Sequence, residues 1–219
     1  LKESSKSGGS GVKTIRVGDL NRKVTTERIY KESRPMGRGS LANIEVTDEY
    51  RQVVTLVASD CPVIFVTGKA GTGKSTLISY LRETLDRKLA VVAPTGVAAL
   101  QARGATIHSF FKFPPRVVTD EEIRRIKRGK MYTALELLII DEISMVRADV
   151  MDAIDKFLRM NGRFSDKPFG GVKILMVGDL LQLPPVITKN EETILADRNY
   201  TSPYFFSAKC LQECQMASI

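Results

Sequence analysis

A short, continuously apolar and largely β-branched run, Val63-Ile64-Phe65-Val66, precedes Gly68-Lys69-Ala70-Gly71-Thr72-Gly73-Lys74-Ser75 and a helical pattern from 74 to about 87. The octapeptide fits G-x-x-x-x-G-K-[ST] and lies between a predicted strand and a predicted helix, the setting that pattern requires. Its glycines let the backbone turn tightly and aim successive N–H groups inward. An anion placed there is held by those amides and by the positive end of the following helix. The expected phosphate cradle is Gly68, Ala70, Gly71, Thr72, Gly73, Lys74, Ser75 and Thr76. Lys74 would reach the outer phosphates of ATP and Ser75 would ligate Mg²⁺.

The strand-then-helix order recurs at 89–93 with 97–102 and at 137–140 with 147–160, and a further strand is predicted at 172–177. Continuously apolar strands alternating with helices imply an α/β fold, a parallel sheet covered on both faces with right-handed crossovers. Ahead of the first strand, Thr47 caps a helix with Asp48 and Glu49 in its first turn. Its apolar face is Tyr50, Val53, Val54 and Val57, and Asp60-Cys61-Pro62 ends it.

Phosphoryl transfer also needs a carboxylate at the end of another buried strand, and Leu137-Leu138-Ile139-Ile140-Asp141-Glu142 supplies two. Asp141 suits the metal shell, and Glu142 is placed to polarise an attacking water. The plainer alternative is that both acids cap the next turn near Ser144. The strand at 172–177 ends in Gly178-Asp179, and Gln182 follows on a loop stiffened by Pro184 and Pro185. A polar group at such a tip can report the γ-phosphate, so Gln182 is the candidate sensor; an incidental turn residue is the alternative.

The chain has 219 residues, 43% hydrophobic and 26% charged, the composition of a globular domain rather than a disordered or fibrous one. Its most apolar stretch, 135–140, is interrupted by Glu136 and is too short to cross a bilayer, so a cytoplasmic location is expected. Three cysteines and one histidine offer neither a disulfide framework nor a zinc site. The net charge of +8 suits phosphate-rich partners. Residues 1–45 hold ten Lys/Arg against five Asp/Glu, and 4–11 have a Gly/Ser linker composition. We therefore read 1–46 as a basic, partly flexible extension with no folded role, and 47–219 as one ATPase domain.

Five blocks together resemble the 5′→3′ superfamily 1 DNA helicases of the Pif-one and RecD type. They are the phosphate loop; Ala93-Pro94-Thr95-Gly96-Val97-Ala98-Ala99; Gly104-Ala105-Thr106-Ile107-His108-Ser109-Phe110-Phe111; Ile140-Asp141-Glu142-Ile143-Ser144-Met145-Val146; and Gly178-Asp179-Leu180-Leu181-Gln182-Leu183-Pro184-Pro185-Val186. The resemblance covers about 47–209. It implies a RecA-like sheet and a motor that couples Mg·ATP hydrolysis to movement on single-stranded DNA. It assigns Lys74, Ser75, Asp141, Glu142 and Gln182 the roles argued above, and makes Gln52 the adenine-reading glutamine, whose carboxamide both donates and accepts. Pro94, Thr95, Thr106 and His108 become single-strand DNA contacts; a core role is the alternative for His108, and for at least two of Phe110, Phe111 and Phe113.

The same resemblance implies a small wedge at the duplex junction around 112–134. Residues 112–130 carry seven Lys/Arg and three Asp/Glu, and a basic helix through Arg124-Arg125-Ile126-Lys127-Arg128 would suit that task. The family motor has a second RecA-like domain that brings arginines to the γ-phosphate, and the present chain stops near the end of the first. Alone it is expected to bind nucleotide and DNA, to hydrolyse ATP slowly and not to unwind duplexes. The rival reading is a nucleotide-dependent switch or assembly ATPase acting on protein partners, with turnover indifferent to DNA.

Overall fold

The sheet alternates between two cores residue by residue. Val63, Phe65, Leu138, Ile140, Ile174 and Met176 enter one, and Ile64, Val66, Leu137, Ile139, Leu175 and Val177 enter the other. Because both faces are covered, these strands are apolar throughout rather than alternating with polar residues. The computed structural model describes residues 46–127 and 129–219 together with the backbone of Thr14 and Ile15. The rest of the basic extension, and Arg128, lie outside the described residues.

The strands are β1 (Thr14–Ile15), β2 (Val63–Thr67), β3 (Leu89–Ala93), β4 (Ala105–Thr106), β5 (Leu137–Ile140), β6 (Lys173–Gly178) and β7 (Met216–Ser218). They lie in the order β1-β7-β2-β6-β5-β3-β4, every pairing parallel. The helices α1 (Asp48–Ala58) and α2 (Lys74–Thr84) line one core, and α6 (Ala148–Asn161) lines the other. Shorter helices are α3 (Gly96–Gln101), α4 (Ile107–Phe111), α5 (Lys130–Ala134), α7 (Lys189–Asp197) and α8 (Lys209–Gln212). The predicted cap holds: Thr47 Oγ1 accepts the Tyr50 N–H at 3.4 Å, and Tyr50, Val53, Val54 and Val57 are buried.

Parallel strands send their carboxyl ends to one edge, which is where ligands bind in open α/β sheets. Here the register makes that edge compact. Thr67 pairs with Gly178 and Ile140 with Met176, so the loops leaving β2, β6 and β5 are immediate neighbours. Ala93 pairs with Thr106, which sets the loops after β3 and β4 side by side.

Several expectations need correction. The helix that starts at Lys74 stops at Thr84 rather than near 87, because Leu85 turns extended and packs against the α1–α2 core. Thr14–Ile15, within the basic extension, form an edge strand beside β7 and so have a folded role. No helix runs through Arg124-Arg125-Ile126-Lys127. Ile123 is buried there, and Asn161 of α6 takes the backbone in place of a helical ladder: its Oδ1 accepts the Ile126 N–H at 2.7 Å and its Nδ2 donates to Arg124 O at 3.1 Å. Arg124, Arg125 and Lys127 remain exposed. Phe111 and Phe113 are buried and ring Phe157 with Tyr132, while Phe110 is half-buried.

Replacing Asn161 with Ala strands two backbone groups, so unfolding free energy should fall by about 1–3 kcal/mol. Chemical denaturation measures that loss, and hydrogen exchange should show it concentrated at Ile126.

Candidate active site at the carboxyl edge of the sheet

The phosphate loop leaves β2 at Thr67 and turns through Gly71 (φ +80°) and Gly73 (φ +87°), backbone angles that residues with a Cβ rarely adopt. A Cβ on Gly73 would also lie 2.7 Å from the Tyr50 hydroxyl. That hydroxyl donates to Gly73 O at 2.7 Å, so α1 braces the loop from behind, and Thr76 lies beside the same phenol. Thr72 Oγ1 donates to Lys69 O at 2.9 Å, closing the turn around Ala70. Lys74 Nζ donates to Gly68 O at 2.6 Å and Lys69 O at 2.8 Å, which draws its ammonium back over the loop. Ser75 is exposed in the first turn of α2.

Two strands away, Asp141 is buried and Glu142 half-buried at the end of β5. Asp141 Oδ1 accepts the Glu142 N–H at 3.0 Å. Glu142 has φ +51°, a left-handed conformation that costs a non-glycine residue about 1–2 kcal/mol. Burial raises the pKa of both carboxyls above their ordinary range, Asp141 adds to the effect on Glu142, and the Lys74 charge opposes it in each. Between these carboxylates and the phosphate loop stands β6. Gly68 N donates to Gly178 O at 3.3 Å, and a Cβ on Gly178 would meet Ile143 N at 3.0 Å. The loop that follows is folded on Asp179, whose Oδ1 accepts the Leu181 N–H and whose carbonyl accepts the Gln182 N–H. Gln182 and Glu142 both line a cavity of about 540 Å³.

Thr95 and Thr106 serve as helix caps, each Oγ1 accepting an N–H at 3.2 Å, from Ala98 and Ser109 respectively. Each hydroxyl keeps its own proton to donate. Pro94, Thr95 and His108 line a second cavity of about 180 Å³ with Arg147 and Val186; Thr106 does not reach it. Thr95 lines both cavities.

Residues 43–211 match the PIF1-like helicase family. This chain belongs to that family. ATP-dependent DNA helicase RRM3 of Saccharomyces cerevisiae is 33% identical over 168 residues, which cover 72% of this chain and 23% of the yeast protein. A Bacteroides Pif1 helicase structure in complex with ADP-AlF3 and ssDNA is 42% identical, with TM-score 0.68, over 76% of this chain and 39% of that one. A structure of two coordinating Pif1 helicases on forked dsDNA is 38% identical, with TM-score 0.69, over 81% of this chain and 44% of that one. The chain thus spans about a quarter of the yeast relative and about two fifths of the solved PIF1-like structures. The α/β P-loop NTPase fold expected from the strand pattern is the fold of this family.

Of the expected nucleotide residues, Gly68, Thr72, Gly73 and Lys74 line a cavity behind the phosphate loop, whereas Gln52, Ala70, Gly71, Ser75 and Thr76 do not. Gln52 is exposed on α1 and does not line the cavity of about 340 Å³ behind the phosphate loop. Thr47, Glu49, Tyr50 and Val53 do. Thr47, Tyr50 and Val53 follow at three-residue steps on the face of α1 that turns inward, and Gln52 is exposed to solvent. That signal was present in the apolar pattern that predicted α1, and it selects Tyr50. Arg147, half-buried beside His108, was likewise not singled out by any motif.

His108 is half-buried, and its pKa is lowered by burial and by the Arg147 charge, with Asp149 acting the other way. The unfolded chain therefore takes up a proton near pH 6.5 that the folded chain refuses, and His108 costs stability as pH falls below that value. His108→Gln should show a smaller loss of urea midpoint between pH 7.5 and 5.5 than the unmodified chain.

Proposed function

We propose that this chain is the nucleotide-binding motor domain of a DNA helicase, which in the complete protein couples Mg·ATP hydrolysis to translocation on single-stranded DNA and duplex unwinding. The observation that carries the reading is the sharing of Thr95 and the 181–186 loop between two adjoining cavities. One holds Glu142 and Gln182, and the other holds Pro94 and His108. A nucleotide-driven change at the first is thereby in contact with a strand held at the second.

The phosphate loop amides and Lys74 bind the phosphates. Burial raises the Glu142 carboxyl pKa above its ordinary range, the direction that makes it a better acceptor of a proton from an attacking water. Gln182, on the neighbouring loop, senses the terminal phosphate. The donors available to a divalent ion are the Ser75 hydroxyl and the Asp141 carboxylate, both hard oxygens. Among the described residues no group of three or more His, Cys, Asp or Glu side chains makes a dedicated cage. Such a sparse set fits Mg²⁺, which completes its shell with phosphate and water and neutralises charge on the phosphates when bound. Thr95, Thr106 and His108 offer uncharged donors that grip phosphates without reading base sequence. The exposed cations Arg124, Arg125 and Lys127 beside α6 add a sequence-independent attraction for a duplex junction.

A second RecA-like domain, carried by the complete protein, closes over the exposed Leu181, Leu183, Val97 and Leu100 and supplies the missing cationic groups.

Nucleotide affinity and ATP turnover, each with and without oligo-dT, test the reading. Lys74→Ala should weaken nucleotide binding by about tenfold or more. Glu142→Gln should keep binding and lower turnover by about 10²–10⁴. Turnover in the complete protein that ignores DNA would instead favour a protein partner. For the base end of the site, Tyr50→Phe should weaken nucleotide binding about three- to tenfold through loss of its bond to Gly73, and Gln52→Ala by less than about twofold. The reverse order would return Gln52 to the site.

A further inference from the structure

Residues 179–188 run from the tip of β6 to Thr188, the N-cap of α7. Along the way Gln182 lines the cavity that contains Glu142, and Val186 lines the one that contains His108. Both ends of this loop are held by one short stretch, 143–147. At the start, Gly178 lies against Ile143 with no room for a Cβ between them. At the far end, Arg147 Nη1 donates to Glu191 Oε1 in the first turn of α7 at 2.7 Å.

The hold on Arg147 is itself rigid. Its Nε and Nη2 donate to the two oxygens of Asp149, each at 2.9 Å, and Asp149 Oδ2 also accepts the Val118 N–H at 3.2 Å. The Arg147 side chain is 11% exposed and that of Asp149 is 1% exposed. Three of its five N–H donors, one on each guanidinium nitrogen, go to two carboxylates, so this cation beside the His108 cavity is already charge-paired and serves as a pin. A bidentate, desolvated pair of this kind fixes geometry as well as charge. The stretch it anchors begins one residue after Glu142.

We propose that Arg147 is a positioning residue whose Glu191 arm ties the far end of the Gln182 loop to the Asp141–Glu142 turn, so that nucleotide binding and single-strand binding are coupled through this loop. The inference rests on the function proposed above. With both ends on one stretch and Pro184-Pro185 between them, the loop has little freedom to absorb a displacement at Gln182 locally. It passes the displacement to Val186 and the His108 cavity. With the Glu191 arm cut, α7 and the end of the loop yield, and the displacement dissipates.

The test measures the Kd of this chain for fluorescent oligo-dT with and without Mg·AMP-PNP. Glu191→Ala cuts the arm; Thr188→Ala, which removes the other half of the α7 capping box and leaves the ion pair, controls for loosening of the helix. In the unmodified chain and in Thr188→Ala the nucleotide should shift the oligo Kd by about fivefold or more. In Glu191→Ala the shift should fall below about twofold, with each ligand's separate Kd within about threefold of its starting value. Glu191→Gln, which keeps the capping acceptor and loses the charge, should be intermediate, and it serves if Glu191→Ala does not fold. Hydrogen exchange across 179–188 in the ligand-free chain should rise in Glu191→Ala and not in Thr188→Ala. Unaltered coupling in Glu191→Ala, equal loss in Thr188→Ala, or unaltered exchange would each overturn the inference. An unmodified chain that binds neither ligand would overturn the function beneath it, while the exchange measurement would still decide whether Glu191 tethers the loop.

Discussion

The parallel pairing of β2, β6, β5 and β3 is the constraint on which the site depends. Backbone hydrogen bonds fix Thr67 beside Gly178, Ile140 beside Met176 and Val92 beside Ile140. A slip of one residue in any strand would turn its buried side chains to the wrong core, since the two cores take alternate residues. The register is therefore enforced from both faces at once. Through it the phosphate loop, the two carboxylates and the Gln182 loop inherit their mutual positions without needing many direct bonds to one another.

The direct bonds that do exist are backbone contacts at very close range. Gly178 serves the site by having no side chain, because the turn after Glu142 passes where its Cβ would be. The left-handed Glu142 follows from the same crowding: the Asp141 carboxylate holds its N–H, and the turn Ile143–Met145 starts at once behind it. Burial then raises both carboxyl pKa values against the counterweight of Lys74. Left-handed backbone and desolvation thus coincide at Glu142, the residue proposed to act on water.

How much of this could be read from the sequence varies by element. The strands after 63, 89, 137 and 172 were legible because each is a short apolar run bounded by turn residues. The strand Met216–Ser218 was not, since three residues have no periodicity of their own and this strand is defined only by its pairing with β1 and β2. The 124–127 segment misled for a physical reason. Its charge pattern suits a surface helix, but Asn161, thirty-seven positions away from Arg124, supplies the backbone partners that make another conformation stable. Gln52 has the chemistry to read a base and is exposed on α1, while Tyr50, which spacing alone placed as a core aromatic, bonds to the phosphate loop at Gly73.

By itself the sequence determined the α/β class, the phosphate-loop motif and the family, and it singled out Lys74, Ser75, Asp141, Glu142 and Gln182 as candidates. These depend on local strings and on apolar runs, whose meaning survives without knowledge of what lies opposite. The tertiary structure alone decided which face of α1 meets the loop, that Thr95 and the Gln182 loop bridge two cavities, and that Arg147 is locked between Asp149 and Glu191. Each of those facts depends on groups far apart in the chain that approach within hydrogen-bonding or van der Waals distance. No local pattern encodes such meetings, because the strand order and register that produce them are settled only when the whole sheet is packed.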